Sequence, residues 1–341
     1  MPTIKDMVRR TLTDDELRNE VLALEKQGQK RLLLVYGEHP RFGADWIART
    51  MSIVYDTVCG SAEIRRVNVN CAPLDVDGFR KLKEAGIGTY QCFQETYHRP
   101  TYRAVHKGGR KADYLWRLHA LHRAQEAGID DVACGVLFGL YDHRFEVLGL
   151  LAHAERLEKD FGVGPHTVSF PRLEPAAGMP LAAQPPHPVD DTTFRRIIAV
   201  VRLALPYTGL ILSTRESATL RDELIAHGIT QISAASRTTP GGYAEETDNC
   251  CDDAETGQFS LGDHRPLETV VRDVVLGHGF VPSWCTACYR KGRTGYHFMG
   301  LARTGFIRNF CHPNALWSFQ EYLIDFASAE TRAEGEALIE R

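Results

Sequence analysis

The residues best placed to do chemistry are Cys285, Cys288 and Cys311, a Cys-x2-Cys pair followed after 22 residues by a third thiol. Three thiolates so spaced could hold a [4Fe–4S] cluster and leave its fourth iron open to a further ligand. A structural zinc ion is the alternative, with His297 or His312 completing a tetrahedron. Three unrelated buried thiols is the plainest reading. Arg290, Lys291 and Arg293 lie close in sequence, and positive charge of that kind favours thiolate over thiol. The other cysteines share no spacing: Cys59, Cys71, Cys92 and Cys134 are expected to pack or line the interior. Cys250-Cys251 are expected to be exposed in a polar, acidic loop.

Three further sites carry groups suited to a ligand. Gly37-Glu38 follows an apolar run, where a carboxylate can accept hydrogen bonds from a ligand ammonium. Ser236-Arg237 offers a guanidinium able to clamp a carboxylate through two parallel bonds, with a rim ion pair as the plainer reading. His166 stands where a loop enters a strand, and a lone histidine there is more often structural than a ligand.

The elements that must position these groups alternate. A capping box, Thr13-Asp14-Asp15-Glu16, opens a helix that ends at Gly28. Strands then read over 31–35, 64–70, 88–93, 132–140, 166–170, 209–213 and 231–235. Helices read over 45–58, 77–84, 113–127, 145–159, 191–205, 218–227 and 267–276, with the Pro-rich stretch 175–188 as a loop. Such alternation predicts a parallel sheet with covered faces. The expected fold is an α/β barrel of the (β/α)8 TIM type short of its first strand, with an open doubly wound sheet as the alternative. In either fold ligands bind at the carboxyl ends of the strands. Those ends are polar throughout, among them Gln94-Glu95, Pro171-Arg172 and Arg215-Glu216.

Composition removes several classes. A net charge of -4 with dispersed Lys and Arg leaves no basic patch for nucleic acid. No apolar run approaches a membrane span, and the first residues lack a secretion signal, so no membrane partner is expected. Nine cysteines, an odd count, argue against a disulfide framework and for a reducing cytoplasm.

Several stretches resemble one family closely: Phe93-Gln94-Glu95-Thr96-Tyr97-His98-Arg99-Pro100, Gly135-Val136-Leu137-Phe138-Gly139-Leu140-Tyr141-Asp142, Gly162-Val163-Gly164-Pro165-His166-Thr167, and Pro206-Tyr207-Thr208-Gly209. With Cys285-Thr286-Ala287-Cys288 and Cys311, they are similar to the radical-SAM tyrosine lyases of the HydG family, in the ThiH/biotin-synthase-like superfamily. The similarity runs from about Met7 to Ser328, and the cysteine tail separates HydG proteins from the thiamine-pathway lyases.

The resemblance implies cleavage of L-tyrosine to p-cresol and dehydroglycine, started by a radical from S-adenosylmethionine. It also implies CO and cyanide made for the [FeFe]-hydrogenase H-cluster, with other hydrogenase-maturation proteins as partners. By the same resemblance Gly37 and Glu38 contact the SAM amino group, and Gly135 and Gly139 pass the adenosyl moiety. Ser236 and Arg237 hold the tyrosine carboxylate. Cys285, Cys288 and Cys311 ligate an auxiliary [4Fe–4S] cluster with an extra iron, which His166 supports. Residues 1–279 are then an incomplete barrel and residues 280–341 a mainly helical cluster-binding region.

One departure stands out. The family's Cys-x3-Cys-x2-Cys loop, which binds the SAM cluster, has no counterpart: Cys59 is the first cysteine and no trio fits. The absent strand and the absent motif fall at the same point, before the segment 5–13. The expectation is a chain truncated at its amino end, unable on its own to cleave SAM.

Overall fold

The computed structural model describes residues 10–174, 180–244, 260–290 and 295–341. Helix α1, Asp14–Lys26, begins as its sequence requires: the Thr13 hydroxyl accepts from the Glu16 amide while the Glu16 carboxylate accepts from the Thr13 amide. Gly28 follows with φ +86, and a Cβ there would lie 2.8 Å from the Tyr322 ring. Glycine thus both turns the chain and lets a distant helix pack close.

Seven parallel strands follow in sequential order: β1 Arg31–Val35, β2 Arg66–Asn70, β3 Tyr90–Gln91, β4 Val132–Gly135, β5 Thr167–Ser169, β6 Gly209–Leu212 and β7 Gln231–Ile232. Between them run α2 Ala44–Asp56, α3 Val76–Glu84, α4 Ala120–Glu126, α5 His143–Phe161, α6 Asp191–Ala204 and α7 Ala218–Ile225. The Arg31 guanidinium donates to the Gln231 Oε1 at 2.8 Å, joining the first strand to the last. A sheet whose two edge strands meet is curled, and the expected α/β barrel short of one strand is seen as a curled seven-stranded half-barrel.

Register sorts the side chains. Arg31, Leu33 and Val35 pair with Arg66, Asn68 and Asn70, so these line one face. Val67 and Val69 point the other way, into the core that includes Met51 and Val54 of α2, Phe79 of α3 and Leu150 of α5. The apolar face therefore meets the helices, and the polar face is turned into the barrel.

Helices α8 Gly295–Arg303, α9 Arg308–Asp325 and α10 Ala329–Ile339 form the carboxyl-terminal region. A second core joins Leu267 and Val271 to Trp284, Phe319, Tyr322 and Leu323. It draws residues from both sides of position 279. No described helix is long and apolar enough to cross a membrane.

Some elements differ from expectation. Val58–Cys59 and Ala62–Glu63 pair as a short antiparallel hairpin, because Gly60 takes φ +63 and turns the chain. The helix expected over 113–127 breaks at His119 into Tyr114–Leu118 and Ala120–Glu126. A helix at Arg99–Val105 was not expected; it opens with Pro100 in its first turn, where a missing N–H costs little. Within the expected loop 175–188, Pro180–Ala183 is helical and residues 175–179 lie outside the described residues, as do Cys250-Cys251, Lys291 and Arg293.

Candidate active-site cavity

The polar face of the sheet borders a cavity of about 2160 Å³. A site for one small molecule is about 300–1,000 Å³, so this space is larger than one such ligand needs. Gly37, Glu38, Ser236, Arg237, His166, Cys285, Cys288 and Cys311 all line it. Gly135 and Gly139 are not among its lining residues. Over Gly135 sits the Phe93 ring, 2.9 Å from where a Cβ would stand. Gly139, at φ +112, is covered by Leu173 and Pro185.

Strand polarity divides the remaining groups into a mouth and a floor. Gly37-Glu38 follows β1 and Ser236-Arg237 follows β7, so both stand at the carboxyl ends. The Arg237 amide donates to the Tyr243 hydroxyl at 3.0 Å, while the Tyr243 and Ala244 amides donate to the buried Glu20 carboxylate of α1. The loop after β7 is thereby fastened to α1.

Elsewhere in the mouth, charges are already paired. Glu95 takes φ +70 and accepts from Lys111 Nζ at 3.1 Å and Arg117 Nη2 at 3.0 Å. Burial would raise its carboxyl, but those two cations outweigh burial and hold it at about 2. Arg172 grips the Glu216 carboxylate, donating through Nε at 3.0 Å. Burial draws Arg215 down to about 10, against the pull of Glu95, Glu174 and Glu216. Glu174, which no sequence pattern marked, is raised by burial and by Glu216.

At the floor, Arg66 is the first residue of β2, while Asp131 and His166 immediately precede β4 and β5. The Arg66 guanidinium is fully buried. It donates to Asn68 Oδ1 at 3.0 Å, Thr89 Oγ1 at 2.6 Å and the Cys285 carbonyl at 3.1 Å, with the Cys285 Sγ at 3.8 Å. The cation seen beside a cysteine is therefore a barrel residue, distant in sequence. His166 is buried and packs on Phe298 of α8, ring centres 4.7 Å apart. Burial draws its imidazole down to about 4, with Asp131 opposing and Arg66 reinforcing.

Cys285 takes φ +53, an uncommon conformation for a residue with a Cβ. Burial and the neighbouring Cys285 and Cys288 push the Cys311 thiol up to about 11. Among the described residues, no three Cys, His, Asp or Glu side chains close to the spacing of a single metal ion. The thiols converge on one cavity without closing on one ion.

Comparison with known proteins fits this arrangement. Residues 3–151 match the Radical SAM superfamily and residues 169–275 the Biotin and Thiamin Synthesis associated domain. The 2-iminoacetate synthase of Salmonella typhimurium is 34% identical over 278 residues, 81% of this chain and 70% of that one. A crystal structure of HydG, described as a maturase of the [FeFe]-hydrogenase, superposes with a TM-score of 0.93 at 48% identity, over 99% of this chain and 72% of that one. The chain belongs to the radical-SAM superfamily, in its HydG branch. HydG of Carboxydothermus hydrogenoformans agrees, with a TM-score of 0.83 at 43% identity over 99% of this chain and 71% of that one. Methylornithine synthase, at 20% identity and a TM-score of 0.63, shares the fold.

Proposed function

We propose that this chain carries the substrate-binding and iron–sulfur parts of a HydG-type tyrosine lyase, the activity that converts L-tyrosine to p-cresol and dehydroglycine and supplies CO and cyanide for [FeFe]-hydrogenase. The observation that carries this reading is one cavity bordered by Gly37-Glu38 and Ser236-Arg237 at its mouth and by His166 and three cysteines at its floor.

Arg237 has a side chain exposed at the rim while its backbone is held through Tyr243, so its guanidinium is free to meet a tyrosine carboxylate. Glu38 at the opposite edge of the sheet suits an ammonium, as on SAM. The floor residues fit an iron–sulfur group: three thiols around one space, and a buried guanidinium beside Cys285 to offset thiolate charge. Cys285, Cys288 and Cys311 would hold it and His166 would support an extra iron. Such a group, when bound, supplies a site for iron to take up CO and cyanide.

A SAM-binding cluster is a different matter. These 341 residues contain no cysteine trio to ligate one. The groups of this chain therefore bind and orient but do not start a radical, and the chain alone is expected not to cleave SAM. The same shortage favours a second reading, a protein that holds iron without processing tyrosine.

Anaerobic reconstitution with iron and sulfide tests the reading: about one [4Fe–4S] cluster per chain is expected, lost when Cys285, Cys288 and Cys311 are all changed to Ala. A cluster surviving that triple change, or stoichiometric zinc with no iron–sulfur absorption, would overturn it. Tyrosine titrated into the reconstituted chain separates the two readings. Binding that weakens about tenfold or more in Arg237→Ala, as loss of a paired carboxylate contact predicts, supports the lyase. No tyrosine binding supports the iron-holding protein. Dithionite-reduced chain with SAM should yield no 5′-deoxyadenosine.

A further inference from the structure

Asp131 is 3% exposed, and floor groups converge on its carboxylate. Oδ1 lies 3.6 Å from His166 Nδ1 and accepts from the Gly295 amide at 3.2 Å, while Oδ2 lies 4.0 Å from Arg66 Nη2. Arg66 then directs Nη1 at the Cys285 carbonyl and Sγ. Through one side chain the barrel strands meet the histidine, the cysteine and helix α8.

We propose that Asp131 is the positioning residue of the floor, fixing His166 as its Nδ1–H tautomer and holding Arg66 against Cys285. A neutral imidazole carries one proton. A carboxylate facing Nδ1 attracts an N–H and repels a lone pair, so the proton sits on Nδ1 and Nε2 keeps its lone pair. His166 Nδ1 is buried without a hydrogen bond, the Asp131 carboxylate oxygen at 3.6 Å being the acid it faces, and the ring borders the cavity. A histidine that ligates through one nitrogen is commonly oriented by a carboxylate on the other. On the second oxygen, a wholly buried guanidinium needs an opposite charge. Asn68 and Thr89 fix the plane of that guanidinium, and its remaining Nη1 edge reaches Cys285. Asp131 thus sets the two groups that face the cysteine site without facing a ligand itself. The metal half of this inference rests on the reading that His166 ligates iron; the tautomer half does not.

Nitrogen-15 spectra of histidine-labelled, unreconstituted chain test it, with the His166 signals identified by their loss in His166→Asn. The expected wild-type spectrum shows protonated Nδ1 and unprotonated Nε2. In Asp131→Asn the populations should move toward the Nε2–H form, and ferrous-ion affinity of the reconstituted chain should fall about tenfold or more. A wild-type His166 protonated on Nε2 overturns the proposal, and needs no variant that folds. An unchanged tautomer in Asp131→Asn overturns it whatever the iron affinity. A shifted tautomer with ferrous affinity unchanged in both Asp131→Asn and His166→Asn upholds the positioning role and removes the ligand reading instead.

Discussion

The mouth and the floor of this half-barrel are built on opposite principles. At the mouth, opposite charges are paired with one another: Glu95 with Lys111 and Arg117, and Arg172 with Glu216 and Asp191. Gly37, Glu38 and Arg237 are left exposed beside them. At the floor the ionisable groups are buried and follow one another in series, Arg66 to Asp131 to the neutral His166, and one end of the series touches Cys285. Where one charge has two partners, as Glu95 and Arg172 do, the loss of one partner leaves the other in place. A buried series lacks that redundancy. The mouth is suited to exchange ligands, and the floor to hold one geometry.

Breaking each region at its cation should show the largest difference. Arg66→Met removes a buried guanidinium with side-chain bonds to Asn68 and Thr89 and leaves Asp131 buried beside the neutral His166. A loss of about 3–5 kcal/mol is expected for a broken buried pair. Lys111→Met leaves Glu95 still paired with Arg117, so the loss should be smaller than for Arg66→Met. Urea unfolding followed by circular dichroism measures both. Equal losses would erase the contrast between the two regions.

The contrast also marks what could be read from sequence. Strand ends are legible because an apolar run such as Leu32-Leu33-Leu34-Val35 announces itself when it stops before Gly37-Glu38. The cysteine spacing is equally local. Arg66 and Asp131 were missed because their meaning lies in contacts across more than 150 positions of sequence, to Cys285 and Gly295. A signal did exist for Arg66. Strand β2 reads Arg-Val-Asn-Val-Asn, and a strand buried on both faces should be apolar on both. Period-two polarity in such a strand means that its second face borders a lined cavity. For Asp131, which follows Asp130 in an unremarkable turn, the sequence offers nothing equivalent. Gly135, which family likeness assigns to a ligand, has a further feature that no spacing could show: an added Cβ there would stand 2.9 Å from the Phe93 ring.

Acid should separate the regions by pH. The His166 imidazole is lowered by burial from 6.5 to about 4. The unfolded chain therefore takes up that proton first, and the stability held above pH 6.5 is lost as pH falls toward 4. A difference of that size is worth about 3 kcal/mol. Glu95 runs lower: burial raises it, but Lys111 and Arg117 bring it from 4.5 to about 2. Its contribution is present above pH 4.5 and is lost as pH falls toward 2. His106 and His153 are also lowered by burial, to about 4 and about 3, so the test is a difference between proteins. Wild type minus His166→Gln should change its stability gap between pH 6.5 and 4, and wild type minus Glu95→Gln only below 4.5. A Glu95→Gln gap that varied between pH 7 and 5 would contradict the ion pairing described at the mouth.

The smallest effects should come from two glycines, and they sharpen the comparison most finely. At Gly37 nothing lies within 4 Å of an added Cβ, so the backbone is open to the cavity mouth. Gly37→Ala should change stability by less than about 0.5 kcal/mol. At Gly135 an added Cβ would stand 2.8 Å from the Ser169 carbonyl oxygen and 2.9 Å from the Phe93 ring. Neither neighbour yields easily, because Ser169 is backbone of β5 and Phe93 follows β3 in the same curled sheet. Overpacking of this kind costs about 1–3 kcal/mol. If Gly135 serves packing, Gly135→Ala should lower the unfolding midpoint, and pairing it with Phe93→Leu should restore part of the loss by making room. If Gly135 instead serves the close approach of a ligand, Gly135→Ala should fold normally and weaken SAM binding, with Phe93→Leu giving no rescue. Thermal unfolding and SAM titration on the four proteins (wild type, each single change and the double) decide between packing and ligand approach.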